Sequence, residues 1–210
     1  MGSWFGEVGA NLQPRFRFGQ IETALQVMHG VSSDAAPGFR ARLRNLKRAG
    51  LNIGDNRPGR RANLTIGDAV TIALAVELGK LGNAPERSAQ LLADNADALS
   101  AATRMVLDSS ADVLLTYFPD AWGQGPEGMF GPGEIDTWTA TEFAGDEGFS
   151  IQTRMAIINF SHVWRELVAG LSKHQPEQAL REDLASWSDQ LAKWSDAAAA
   201  AWWREQRKGD

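Results

Sequence analysis

At 210 residues, 43% hydrophobic and 22% charged, the chain has the length of one large domain or two small ones and the composition of an ordinary globular protein. It contains no cysteine, which excludes disulfide frameworks and thiolate metal sites, and no run apolar enough to cross a bilayer. The net charge of −5 conceals an asymmetry: residues 1–64 carry ten Lys/Arg against four Asp/Glu, a balance of +6, whereas the remainder carries eleven against twenty-two, a balance of −11. Such a split suggests that one part of the chain meets a polyanion and the other does not.

Residues 1–19 hold Gly, Arg and Phe without a clear period and are expected to form a partly ordered arm. No cationic stretch followed by an apolar run occurs there, so no signal peptide is expected and the expected location is the cytoplasm, at the nucleoid. Ile21, Ala24, Leu25 and Met28 keep an i, i+3, i+4, i+7 spacing that predicts a short helix ended by His29-Gly30. Ser32, Ser33 and Asp34 are N-cap residue types and Pro37 suits a first turn, so a second helix is predicted over 37–49, stopped by Gly50. Residues 52–63 (NIGDNRPGRRAN) read as a hairpin-like loop.

A third helix is predicted over 65–81, with Ala69, Ile72, Ala73, Val76 and Leu81 as its apolar stripe. A fourth is predicted over 85–107, where Leu92, Ala96, Leu99, Thr103 and Val106 are spaced alternately by four and three. Beyond Asp108 the texture becomes β-branched and aromatic. Residues 112–118 (DVLLTYF) and 135–143 (IDTWTATEF) predict strands around a Gly/Pro loop. Residues 151–160 predict a strand passing into a helix that ends near Gly170, and 175–207 predict a final long helix.

The basic helix carries the main functional signal. At 100° per residue, Phe39, Leu43 and Leu46 share one narrow arc, which suits a core. Arg40, Arg44 and Lys47 form an adjacent stripe flanked by Arg48, Arg42 is a further cation of the same helix, and Arg57, Arg60 and Arg61 follow in the loop. A helix with one buried face and a neighbouring row of long cations can lie in a DNA groove and release counterions from the phosphates. Helix, turn, basic helix, basic loop, helix is the order of a winged helix-turn-helix. The expected fold is therefore mainly α: an arm (1–19), a winged helix-turn-helix (20–82), a connecting helix (83–108) and a small α+β C-terminal domain with a long terminal helix (109–210).

The stretch Ile21–Leu92 resembles the DNA-binding part of the MerR family. The resemblance rests on the turn Gly30-Val31-Ser32, the helix FRARLRNLKRAGL at 39–51, the basic wing PGRR at 58–61, and LAVELGKLGNAPERSAQLL at 74–92. It covers about a third of the chain. The turn between the first two helices is longer here than in that family, and Leu64 stands where an aromatic often follows the wing. The resemblance implies a homodimer that binds double-stranded DNA through residues 40, 42, 44, 47, 48, 57, 60 and 61.

Chemistry-bearing patterns are absent from the sequence. His29, His162 and His174 lack metal-ligand spacing, the Gly-rich loop at 123–133 lacks the Lys-Ser/Thr of a P-loop, and no Gly-x-Ser-x-Gly elbow occurs. Neither catalysis nor a cofactor is expected. Seven of the eight tryptophans lie beyond residue 120, with Trp122 and Trp138 as candidates for an aromatic pocket. In the last helix Leu180, Leu184, Trp187, Leu191 and Trp194 form a seam that suits packing on the chain's own strands or on a second copy. Leu92, Leu99 and Val106 offer another seam for dimerisation, the one favoured by the resemblance.

The expected function is thus a homodimeric, sequence-specific transcriptional regulator whose acidic half senses a ligand or recruits RNA polymerase or another regulator. The alternatives are a winged-helix adaptor for protein contacts and an architectural DNA binder without sequence preference.

Overall fold

The computed structural model describes residues 15–51, 53–54, 63–117, 135–145 and 155–206. Within them the chain forms α1 (Phe18–Met28), α2 (Ala36–Arg48), α3 (Ile66–Lys80), α4 (Pro85–Asp94), α5 (Ala96–Asp108), β1 (Val113–Tyr117), β2 (Ile135–Thr139), α6 (Ala140–Gly145), β3 (Ala156–Asn159), α7 (Phe160–Leu171) and α8 (Glu177–Gln206). The protein is mainly helical, with one small antiparallel sheet of order β2-β1-β3. Among the described residues no helix is long and apolar enough to cross a membrane.

The fold is organised around α3. Its sequence, IGDAVTIALAVELGK, is apolar on every side, and a helix of that kind has to be enclosed. Eleven of its fifteen residues are buried, from Ile66 to Leu78, with α2, α4, α7 and α8 packed about it. The stripe expected from the sequence included Leu81, which instead lies beyond the helix and is 41% exposed. The N-terminus of α3 is sealed by side chains. Thr65 and Asp68 form a reciprocal capping box, and Asp183 of α8 accepts the Ile66 N–H at 2.9 Å.

The helix expected over 85–107 is broken in two by Asn95. Its side-chain amide donates to the Leu91 carbonyl at 2.8 Å, while its carbonyl accepts the Ile135 N–H at 2.8 Å. The break ties the start of β2 to the junction of α4 and α5. The strand expected over 135–143 ends at Thr139, where a Thr139–Glu142 capping box starts α6. β1 is the central strand. Val113, Leu115 and Tyr117 are buried, and the Tyr117 hydroxyl donates to Asn83 in the turn between α3 and α4 at 3.0 Å.

The boundaries expected after residues 82 and 108 do not divide the core, which runs continuously from Phe16 to Leu191. α1 lies so close to α7 that a Cβ on Gly170 would fall 2.7 Å from the Ala24 Cβ. α8 spans both expected domains: it packs along α5, where Ser100 and Ser188 each donate to the other's backbone carbonyl at 2.9 Å, and it reaches α3. The expected arm is shorter than 1–19. Phe16 is buried and exchanges two backbone hydrogen bonds with Leu64, at 2.7 and 2.9 Å, while residues 1–14 lie outside the described residues.

α8 approaches α3 closely at Gly67, where an added Cβ would sit 2.3 Å from Trp187 Cδ1. Gly67→Ala is expected to cost about 1–3 kcal/mol through overpacking against the indole. Gly79→Ala, in the same helix but with nothing within 4 Å of the new Cβ, should leave stability unchanged or raise it by up to about 1 kcal/mol. Urea denaturation of both variants checks the contrast, and equal midpoints would contradict the packing.

Candidate nucleic-acid interface

The basic helix is held by three elements. α1 ends at His29, and Gly30 reverses the chain at φ 59°, a backbone conformation that an L side chain rarely adopts. On α2, Phe39, Leu43 and Leu46 are buried, as their shared arc requires. The His29 ring meets Phe39 edge-on at 5.9 Å and is itself 3% exposed. Lys80 Nζ lies 2.8 Å from His29 Nδ1. The same Nδ1 lies 3.4 Å from Glu77 Oε1, and Nε2 is buried without a partner among the described residues. Burial and the adjacent Lys80 charge hold the imidazole below its usual pKa.

With its apolar arc buried, α2 presents its cations outward. Arg40, Arg42, Arg44, Lys47 and Arg48 are all exposed. They are not equivalent. Arg40 Nε donates to both carboxylate oxygens of Glu22 on α1, at 2.8 and 3.0 Å, and Glu22 is buried. Arg40 therefore braces α2 against α1. Among the described residues, Arg42, Arg44, Lys47 and Arg48 have no acidic partner. Arg57, Arg60 and Arg61 lie outside the described residues.

The chain on either side of residues 55–62 is anchored by one buried side chain. Asp68 Oδ1 accepts the Gly54 N–H at 2.9 Å, and Oδ2 accepts the Thr65 N–H at 2.7 Å. Beside Thr65, the Phe16–Leu64 bridge leaves Arg15 and Arg17 exposed on either side of buried Phe16. These two cations were not among the expected site residues. The alternation Arg15-Phe16-Arg17-Phe18 is the period-2 signal of a half-buried extended segment and marks them.

Asp68 and Asp183 are brought together at the first turn of α3. Burial raises the pKa of Asp68 against the lowering effect of its backbone hydrogen bonds. Burial likewise raises Asp183 to about 6, opposed by the Ile66 N–H and Arg15 and reinforced by Asp68.

The residues expected at a dimer contact are placed elsewhere. Leu92, Leu99, Val106, Leu184, Trp187 and Leu191 are between 2% and 9% exposed, apart from Leu184 at 0%, and all six belong to the core of a single chain. Trp194 is half-buried against the same core. The 3-4 seam of α8 is satisfied within the chain, by α5 and, at Trp187, by α3, so these side chains leave almost no surface for a second copy. Trp138 is half-buried and meets Phe143 of α6 edge-on at 6.4 Å, whereas Trp122 lies outside the described residues.

No protein-family model, no curated protein and no solved structure matches the chain.

Two expectations follow from this geometry. Arg40→Ala should destabilise the protein by about 1–3 kcal/mol, because it leaves the buried Glu22 carboxylate with only its Gln26 hydrogen bond, while Arg44→Ala should stay within about 0.5 kcal/mol of wild type. Urea titrations of the two variants decide whether Arg40 is a brace. The Asp183 carboxyl binds its proton more tightly folded than unfolded, so its contribution to stability is greatest at low pH and is lost as pH rises from about 4 through 6. Asp183→Asn keeps an acceptor for Ile66 and removes the titration. Wild-type stability should therefore fall relative to the variant by roughly 2–3 kcal/mol across that window, and a flat difference between pH 4 and 7 would contradict the shift.

Proposed function

We propose that α1, α2, the basic loop and α3 form a MerR-like winged helix-turn-helix, and that the protein is a sequence-specific double-stranded DNA-binding regulator with α2 as its recognition helix. The observation that carries this reading is the outer face of α2. Arg42, Arg44, Lys47 and Arg48 are exposed and without acidic partners among the described residues, on a helix whose opposite face is locked into the core. These exposed cations have no acidic partner among the described residues, and polyphosphate is a ligand they suit. Arg15 and Arg17 extend the same chemistry beside the root of the loop. Base-edge contacts by arginines of α2 would supply sequence choice.

Pairing of two chains stays part of the proposed mode of action, but it has to use a surface other than the seams of α5 and α8.

The proposal is tested by selecting bound duplexes from a random-sequence pool and titrating the enriched site by fluorescence anisotropy at several salt concentrations. The expected result is an enriched motif, with Arg44→Ala/Lys47→Ala lowering affinity. If both side chains contact phosphate, the slope of log affinity against log salt falls by about two units. Enrichment without a motif supports the architectural alternative. Unchanged affinity and slope in the double variant remove α2 from the interface.

A further inference from the structure

An open concavity of about 450 Å³ lies between the end of α5, α7 and the first turns of α8, and is not lined by α2. That volume falls within the ~300–1,000 Å³ typical of small-molecule sites. Its lining includes the apolar side chains of Val106, Trp164 and Val168 alongside several serines. Its rim carries two guanidinium groups, Arg165 and Arg181.

Both arginines are only lightly engaged. Arg165 Nη1 donates to Asp112 at 2.7 Å and Arg181 Nε donates to Glu177 at 3.0 Å. Each guanidinium has five N–H donors, so most remain free. The acceptors are fewer: Asp112 already takes Arg165 on one oxygen and Asn159 on the other, at 3.2 Å. Both ion pairs are well exposed, with the two arginines at 58% and 40%, and pairs of that kind contribute little and exchange readily. The first turn of α8 adds backbone N–H groups with no acceptor within the helix and the positive end of its dipole. The rim also carries the Asp112 and Glu177 carboxylates, so its formal charges balance, but the guanidinium N–H groups outnumber the carboxylate oxygens.

We infer that this cavity binds a small amphipathic carboxylate, its headgroup between Arg165 and Arg181 at the α8 end and its apolar body over Val106, Trp164 and Val168. The site stands independently of the DNA reading, and its failure would leave that reading untouched.

The test uses the full chain and the fluorescent anion 8-anilinonaphthalene-1-sulfonate, which combines an aromatic body with one negative charge. Saturable one-to-one binding is expected, displaced by 4-phenylbutyrate at least tenfold more effectively than by 4-phenylbutylamine or 4-phenylbutanol. Arg181→Gln, an exposed substitution, should weaken phenylbutyrate about tenfold while affecting the alcohol little. Val168→Trp, checked for folding by circular dichroism, should fill the cavity and abolish binding of the dye. Equal displacement by acid and amine, undiminished phenylbutyrate affinity in Arg181→Gln, or absence of saturable dye binding overturns the assignment. Should Val168→Trp fail to fold, the Arg181→Gln comparison alone decides.

Discussion

A helix buried around most of its circumference cannot leave its first amides to water, and this requirement governs the rest of the molecule. The N-terminal N–H groups of α3 are met by a capping box from Thr65 and Asp68 and by a carboxylate, Asp183, delivered from α8. Because Asp183 has to reach Ile66, α8 has to lie across α3, and Gly67 is there because the Trp187 indole occupies the space of a Cβ. Because Asp68 also takes the Gly54 amide, the same carboxylate ties together the chain on either side of residues 55–62. Two acids in one buried site disfavour each other's ionisation. The arrangement holds the fold together at the cost of a pH-dependent strain.

The elements legible in the sequence are those whose signals are local. α1 and α2 follow from 3.6-residue spacing and from Gly30 and Gly50, and both glycines adopt the positive φ that their helix-ending positions require. β1 follows from a β-branched and aromatic run, and α8 from a long periodic stretch. Less legible was α3: its spacing reads as a single apolar stripe, whereas eleven of its fifteen residues are buried, around most of its circumference. Asn95 breaks a pattern that keeps perfect periodicity through it. The break is made by a hydrogen bond to Ile135, forty residues away, which no local pattern encodes. The start of α6 was legible and passed over: Thr139-Ala140-Thr141-Glu142 is a capping-box sequence inside a run that otherwise reads as strand.

For the candidate site, the arc of Phe39, Leu43 and Leu46 correctly divides α2 into a buried and an exposed face. Spacing alone cannot distinguish among the cations on the exposed face. Arg40 stands apart only because Glu22, eighteen residues earlier, comes to lie opposite it. The seams of α5 and α8 illustrate the converse. A 3-4 spacing states that a helix has a partner, and it does not state whether the partner is another chain or the same one. Here Ser100 and Ser188, small residues with reciprocal hydrogen bonds, let the two helices of one chain approach.

The bond from Ile66 to Asp183 joins residues 117 positions apart, which makes it a matter of timing during synthesis. At ribosomal rates of roughly 5–20 residues per second, on the order of ten seconds separates the appearance of the two partners. Through that interval the nascent chain carries the most apolar of the described helices with its local Thr65–Asp68 cap but without the Asp183 acceptor for Ile66 and without its Trp187 neighbour. Closing so long a loop is a late and slow event in folding. The basic helix can be formed early, but its supporting helix is completed only when α8 docks, so the growing chain depends on whatever shields α3 until then.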